Sequence, residues 1–294
     1  MAASKGRPPI GVHIAMLESA GHASAAQALR DLGLRTGEDV SAAAAQMSPS
    51  PDQRCREYEM LFERGAINSR MIAGYAAGLI EFGRSEEAAR IFDTPRLFQT
   101  VMLDDVTVAT EPLAQAVAAE IASRAAAEPA ANGPVFGMLR VGRLTHDPGP
   151  ALARMLDVVE AEAQRHLANW ADSDHPFARH VSNQHVIHSW CHISQGPGRI
   201  DRHYHKRGWV TCVYYPVGVP DGEKGGDLVI GSPDDGEPLP GWPQARIRPR
   251  AGLLVLMPSY YTHWTMPYDA PGLRVSIAID FELTRSVATS QAAA

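Results

Sequence analysis

The chain has 294 residues, of which 45% are hydrophobic and 20% charged, and a formal net charge of -6. That length and balance suit a soluble globular protein with one large domain, or a main domain beside a smaller one. An acidic chain argues against a general nucleic-acid surface, which needs a basic patch or stripe, but leaves room for a local basic pocket. The cysteines, Cys55, Cys191 and Cys212, have no Cys-x-x-Cys spacing. Neither a disulfide framework nor a structural zinc site is expected, and a reducing compartment suits them better. The opening stretch MAASKGRPPI has no apolar signal core, and no apolar run approaches a membrane span. The expectation is a cytoplasmic protein with no membrane and no nucleic-acid partner.

Residues 8 to 93 read as helical. RMIAGYAAGLIEFGRSEEAARIF breaks at Gly83, a good helix stop, and restarts behind Ser85 with Glu86 and Glu87 in the first turn. Ala88 and Phe92 then share a face. HIAMLESAGHASAAQALRDLG repeats the layout, with Leu17, Gly21, Ala26 and Leu29 matching Leu79, Gly83, Ala88 and Ile91. The pattern resembles degenerate tetratricopeptide repeats without their usual aromatic start. A plain helical hairpin capping the next domain is the alternative. Around residues 93 to 110, DTPRLFQTVMLDDVTVAT brings in Pro and β-branched residues and marks a boundary. A long amphipathic helix is expected over about 149 to 170. Leu152, Met155, Leu156, Val159, Ala163, Leu167 and Trp170 recur there at spacings of three and four.

Beyond residue 180 the texture changes. VIHSWCHI, GWVTCVYYPV, GDLVIG, GLLVLMP and LRVSIAIDF are short β-type runs separated by Gly, Pro and Asp clusters. They predict an antiparallel sandwich or small barrel. Gly225-Gly226 reads as a tight turn, since no phosphate-loop pattern accompanies it. The segment 231 to 244 is long enough for a lid or substrate loop.

Seven of the twelve histidines lie between His175 and His205, so density alone identifies no ligand. His175, His180, His185, His188 and His192 read as surface or structural residues, with His188 and His192 also candidates for contacts beside a site. His203 and His205 differ, because side chains two apart on a strand face the same way. A third imidazole, His263, brought in from another strand would leave a metal with open positions, as oxygen-activating iron requires. Asp201 shares the expected face of His203 and His205. Three ligand sets follow: His203, His205 and His263; His203 and His263 with water; or a set that recruits Asp201. Arg274, eleven residues after His263, offers a planar, permanently charged fork for a dicarboxylate. Trp190, Trp209 and Trp264 read as packing.

These residues stand in an order that resembles a known family. Ser189-Trp190, His203-x-His205, Val213-Tyr214-Tyr215, Gly225-Gly226-Asp227-Leu228, Pro249, Gly252, Pro258-Ser259, His263 and Arg274-Val275-Ser276 are the residues that carry it. Over residues 186 to 282 the chain is similar to the 2-oxoglutarate- and Fe(II)-dependent oxygenases of the double-stranded β-helix superfamily, including prolyl- and aspartyl-hydroxylase-like enzymes. His205 departs from that pattern, which usually has Asp or Glu there. By itself this substitution raises the site's charge by one unit.

The resemblance implies an α+β chain, with a helical, tetratricopeptide-like region over 1–95. A double-stranded β-helix (jelly-roll or cupin-like) domain with supporting helices follows over 96–294. It implies Fe(II), 2-oxoglutarate and O2, with His203, His205 and His263 as ligands. Arg274 would pair with the far carboxylate of 2-oxoglutarate, aided by Ser276 and by Tyr214 or Tyr215, of which strand alternation turns one inward. The implied reaction decarboxylates 2-oxoglutarate to succinate and hydroxylates an unactivated carbon, with desaturation or cyclisation as variants. The expected substrate is an amino-acid residue in a peptide or protein, or a small amino-acid-derived compound. Two rivals remain: a three-histidine iron dioxygenase independent of 2-oxoglutarate, and an inactive repeat-type adaptor.

Overall fold

The computed structural model describes residues 50–63, 67–103, 112–124, 128–129, 134–169, 175–178, 185–231, 244–269 and 272–283. Three helices come first, α1 Pro51–Glu63, α2 Ser69–Glu81 and α3 Ser85–Ile91. The Asn68 side chain accepts from Met71 N at 2.9 Å and opens α2, satisfying one of the donors a helix start leaves free. Met71, Ile72, Tyr75, Ala76 and Leu79 recur at helical spacing and form its buried face. Gly83 turns the chain with φ +83, a conformation that favours glycine. Ser85 is the first residue of α3 rather than its cap. The capping position belongs to Arg84, whose Nε donates to Glu87 at 2.6 Å. The earlier stretch carrying Leu17 to Leu29 lies outside the described residues.

A single turn, α4 Thr94–Leu97, leads into β1 Gln99–Met102. Next come α5 Leu113–Ser123, the short strands β2 Glu128–Pro129, β3 Val135–Phe136 and β4 Leu139–Val141, and the long α6 Pro150–Ala168. Leu152, Met155, Leu156, Val159 and Ala163 are the buried stripe of α6, as their spacing requires. Glu120 of α5 accepts from the backbone N–H groups of Gly149, Ala151 and Leu152 at 2.8 to 3.1 Å. Its carboxylate thus caps the positive end of α6 from a neighbouring helix.

The rest is antiparallel sheet. The strands are β5 His185–Ser194, β6 Gly198–His203, β7 Val210–Val217, β8 Leu228–Ile230, β9 Ala245–Ile247, β10 Leu253–Pro258, β11 His263–Tyr268 and β12 Arg274–Leu283. One sheet runs β1-β10-β7-β12-β5-β4-β2 and the other β3-β6-β11-β8-β9. This is the two-sheet α+β architecture of a double-stranded β-helix. At the turn before β8, Gly225 and Gly226 have φ +75 and +74, and a Cβ on Gly225 would fall 1.9 Å from Pro267 O. Only glycine fits there.

Alternation along β12 and β7 divides the large sheet into two faces. Val275, Ile277, Ile279 and Phe281 join a core shared with α2, α3, α5 and α6, including Leu79, Ile91, Val117 and Val159. Arg274, Ser276, Ala278 and Asp280 occupy the other parity, which looks into the barrel. The helices also grip the segments that carry the proposed ligands. Tyr260 OH donates to Ile91 O at 2.6 Å, and Tyr261 OH to Phe92 O at 2.8 Å. Ser69 OH donates to Gly208 O. Two of these bonds lie just ahead of His263 and the third just after His205. No helix among the described residues is long and apolar enough to cross a membrane.

Candidate active site

His203 ends β6 and His263 opens β11, and the two are register partners across the small sheet. His205 lies beyond the end of β6, where its backbone N–H donates to Ser259 O at 2.9 Å. The expectation that both histidines of His-x-His share one strand therefore fails at its second member. A crossing between the sheets, not strand alternation, directs His205 inward. The ring centres of His203, His205 and His263 lie 4.4 to 5.2 Å apart. One ligating nitrogen from each lies within 4.8 Å of the others.

Every imidazole has its Nδ1 committed. His203 Nδ1 is 2.9 Å from Asp201 O and His263 Nδ1 is 2.9 Å from Tyr261 O. His205 Nδ1 is 2.6 Å from Asp280 Oδ1. Carbonyl and carboxylate oxygens only accept, so the proton sits on Nδ1 and the lone pair on Nε2. The Nε2 atoms of His203 and His205 then face one another at 3.2 Å. At that distance the two nitrogens can share one cation, a proton or a metal ion. Burial, followed by the neighbouring His205, pulls His203 down to about 4. Burial, then His203 and His205, hold His263 well below the ordinary histidine range. Neutral imidazoles of this kind are the form that ligates a metal. The three residues therefore fit a divalent ion with open positions. Asp201 does not join them, because its carboxylate turns outward to Arg199 Nε at 2.7 Å.

Asp280 is the residue that sequence reasoning missed. Its Oδ1 takes the His205 Nδ1 contact and also accepts from Thr211 Oγ1 at 2.8 Å, and Thr211 in turn meets Ser259 Oγ at 2.8 Å. Gly208 packs against this group, where a Cβ would lie 2.5 Å from Ser259 Oγ and 3.1 Å from Asp280 Cγ. The available signal was an acid inside the apolar run RVSIAIDF, at the same parity as Arg274 and Ser276. The carboxylate usual in the His-x-Asp position thus survives one layer out, behind an imidazole. It offsets the extra positive unit that the substitution alone would create. Asp280→Asn should keep the fold but weaken Fe(II) binding by roughly 10- to 100-fold, measured by metal titration of the purified protein.

Arg274 is 1% exposed, and all three of its guanidinium nitrogens lack a hydrogen-bond partner of good geometry. Burial pulls it below its usual value, yet a guanidinium remains charged at neutral pH. Its carbon sits 5.4 Å from the Tyr215 ring centre, and the Tyr215 hydroxyl, which faces it, likewise has no hydrogen bond of good geometry. A fully buried cation beside a phenol and without a carboxylate partner is a cradle for an anion. Register settles which tyrosine faces in. Thr211 pairs with Asp280 on the site face, so Tyr215 lies on that face, while Tyr214 pairs with Ile277 on the helix face. Ser276 is buried two residues from Arg274 and opposite His192. Burial and the charge of Arg140 push His192 down to about 3.

The remaining histidines divide as follows. His175 Nε2 bonds Ile91 O at 3.1 Å, His185 Nε2 meets Glu160 at 2.9 Å, and His188 Nε2 meets Glu282 at 3.1 Å. His180 lies outside the described residues. Trp209 stacks on Phe177 with centres 5.1 Å apart, and Trp264 lies under Arg202. Trp190 is more than packing, because its ring lies 5.4 Å from that of His205 and lines a cavity of about 430 Å³ beside the triad.

Residues 188–280 match the family described as "Putative 2OG-Fe(II) oxygenase". No curated protein matches the sequence. Among solved structures, a Pseudomonas putida prolyl-4-hydroxylase is similar at 20% identity and a TM-score of 0.46, over 67% of this chain and 98% of that one. HygX from Streptomyces hygroscopicus, with nickel and 2-oxoglutarate bound, is similar at 14% identity and 0.43, over 66% and 86%. A viral collagen prolyl hydroxylase from Paramecium Bursaria Chlorella virus-1 is similar at 11% and 0.43, over 64% and 97%. Those overall likenesses are loose, so the assignment rests on the family match and on a site that fits its cofactors. The chain carries a 2-oxoglutarate- and Fe(II)-dependent oxygenase domain, an oxidoreductase that uses Fe(II), 2-oxoglutarate and O2.

Proposed function

We propose that His203, His205 and His263 hold the iron, that Arg274 with Tyr215 and Ser276 holds 2-oxoglutarate, and that the enzyme hydroxylates an unactivated carbon. The carbon would belong to an amino-acid residue in a peptide or protein, or to a small amino-acid-derived compound. The observation that carries this reading is the buried, unpartnered Arg274 on the same barrel wall as the triad's Asp280 support. A dicarboxylate bound at the metal through one end would bring its other carboxylate to this cation.

Fe(II) with 2-oxoglutarate and O2 supplies the oxidising power, releasing succinate and CO2. The protein's own groups do the rest. The Nδ1 partners keep three Nε2 lone pairs aimed at one point, and Asp280 adds negative charge through His205. Arg274 fixes the cosubstrate's far end by a forked contact. Full burial keeps bulk water from it, which strengthens that contact. The helices α2 and α3 serve as a buttress, holding the Tyr260–Tyr261 and Gly208 segments at a fixed distance.

The test is Fe(II)- and 2-oxoglutarate-dependent turnover against a library of short peptides and free amino acids. Succinate release should accompany a one-oxygen mass gain on the substrate. Oxygen uptake and substrate oxidation that proceed unchanged without 2-oxoglutarate would overturn the assignment of Arg274.

A further inference from the structure

The cavity beside the triad has a lining that the cosubstrate does not explain. Arg274 is not part of it. Its walls bring Pro134, Val135 and Trp190 together with Arg140, Lys206 and Arg207. On a chain of net charge -6, carboxylates are plentiful, and Arg54, Arg84, Arg124, Arg246 and Arg248 each pair with one. Among the described residues, Arg140, Lys206 and Arg207 have no carboxylate within ion-pair distance. The two acids that share the cavity are already engaged, Asp280 by His205 and Thr211, and Glu282 by His188. Three cations left unpaired around one concavity, next to a candidate metal centre, form a site of positive potential that would draw in and orient an anion.

We infer that the substrate carries a carboxylate or phosphate group, held at the cavity mouth by Arg140 together with Lys206 and Arg207. Its apolar part would lie on Trp190. The inference rests on the functional reading above and narrows its substrate class. Arg140 is well placed for this role, because its guanidinium lies 5.5 Å from the Trp190 ring centre. That contact fixes the plane of the fork while leaving its edge free for a bidentate anion. The volume, about 430 Å³, suits one amino-acid residue or a compound of similar size. Lys206 directly follows His205, so an anion bound there would leave its neighbouring carbons beside the triad.

The experiment is calorimetric binding to the intact protein loaded anaerobically with Fe(II) and 2-oxoglutarate. The probes are acetyl-Ala-Glu-Ala-amide and its Gln counterpart, acetyl-Ala-phosphoserine-Ala-amide and its Ser counterpart, and free N-acetylglutamate. At least one anionic probe should bind about tenfold or more tighter than its neutral counterpart, equivalent to about 1.4 kcal/mol. Arg140→Met should remove that preference without changing the affinity for 2-oxoglutarate. Whether Glu, phosphoserine or the free acid binds best separates the possible sources of the anion. Equal binding of charged and neutral probes would overturn the inference. So would no binding of any anionic probe, or a preference that survives an Arg140→Met/Lys206→Met double variant. A protein that takes up no 2-oxoglutarate at the loading step would fail the underlying reading before any probe is added, so the two failures are distinguishable.

Discussion

Arg274→Met should destroy 2-oxoglutarate binding and at the same time make the ligand-free fold more stable. The two effects have one cause. In the free protein the guanidinium is buried with its nitrogens unpartnered, so it costs stability. An unsatisfied buried polar group costs about 1–3 kcal/mol, and more when charged. Methionine keeps much of the side chain's length and apolar contact without the charge. Urea unfolding of the ligand-free variant should therefore show a higher midpoint. Removing one member of a buried, hydrogen-bonded charge pair costs about 2–5 kcal/mol, which places the loss of 2-oxoglutarate affinity at roughly 30-fold to several thousandfold. A variant that is less stable yet binds 2-oxoglutarate normally would show that Arg274 is a structural cation.

His263→Ala is expected to be equally severe, through the metal. His263 is 4% exposed and is held by Tyr261 O, and the Tyr261 ring is itself tied to Phe92 O. Fe(II) retention should fall well below one equivalent, and turnover by about a thousandfold, on the order of 4 kcal/mol of barrier. His146→Ala, at an exposed histidine far from the triad in sequence, should retain full iron. Metal analysis and succinate formation on the pair would check this. Stoichiometric iron in His263→Ala would remove this residue from the ligand set.

The His-x-His sequence and the structure lead to different expectations for His205→Asp. Read as a simple replacement of carboxylate by imidazole, the native site has one extra positive unit, and His205→Asp would weaken cosubstrate binding. The structure places Asp280 2.6 Å behind His205. A new aspartate there would face a second carboxylate and raise its proton affinity. Restoring the common ligand pattern therefore requires removing the Asp280 charge as well.

Much of the large sheet was legible because VIHSWCHI, GWVTCVYYPV, GLLVLMP and LRVSIAIDF are dense in β-branched and aromatic residues, which only a doubly covered sheet buries. The strands that escaped notice carry weak local signals. β9 is three residues long, and β11 reads HWTMPY, with Pro267 near its end. That His203, His205 and His263 would come together was legible from their order, although the strand-spacing argument fails at His205, and so was a cation at the start of the apolar strand carrying Arg274. Asp280 was not, because its role depends on a contact across 75 residues of chain and on the register of β12 against β7. The same register chooses Tyr215 over Tyr214, a choice that alternation poses without answering. Arg140 was invisible for a related reason, since only the pairing of β4 with β5 sets it beside His192.

The most direct test of the whole account is an anaerobic absorption titration of metal-free protein, first with Fe(II) and then with 2-oxoglutarate. A visible charge-transfer band should appear only when both are present, at one equivalent of iron, and should be absent from Arg274→Met at the same cosubstrate concentration. Iron uptake with no band at any 2-oxoglutarate concentration would contradict chelation at this centre. No iron uptake would contradict the triad itself.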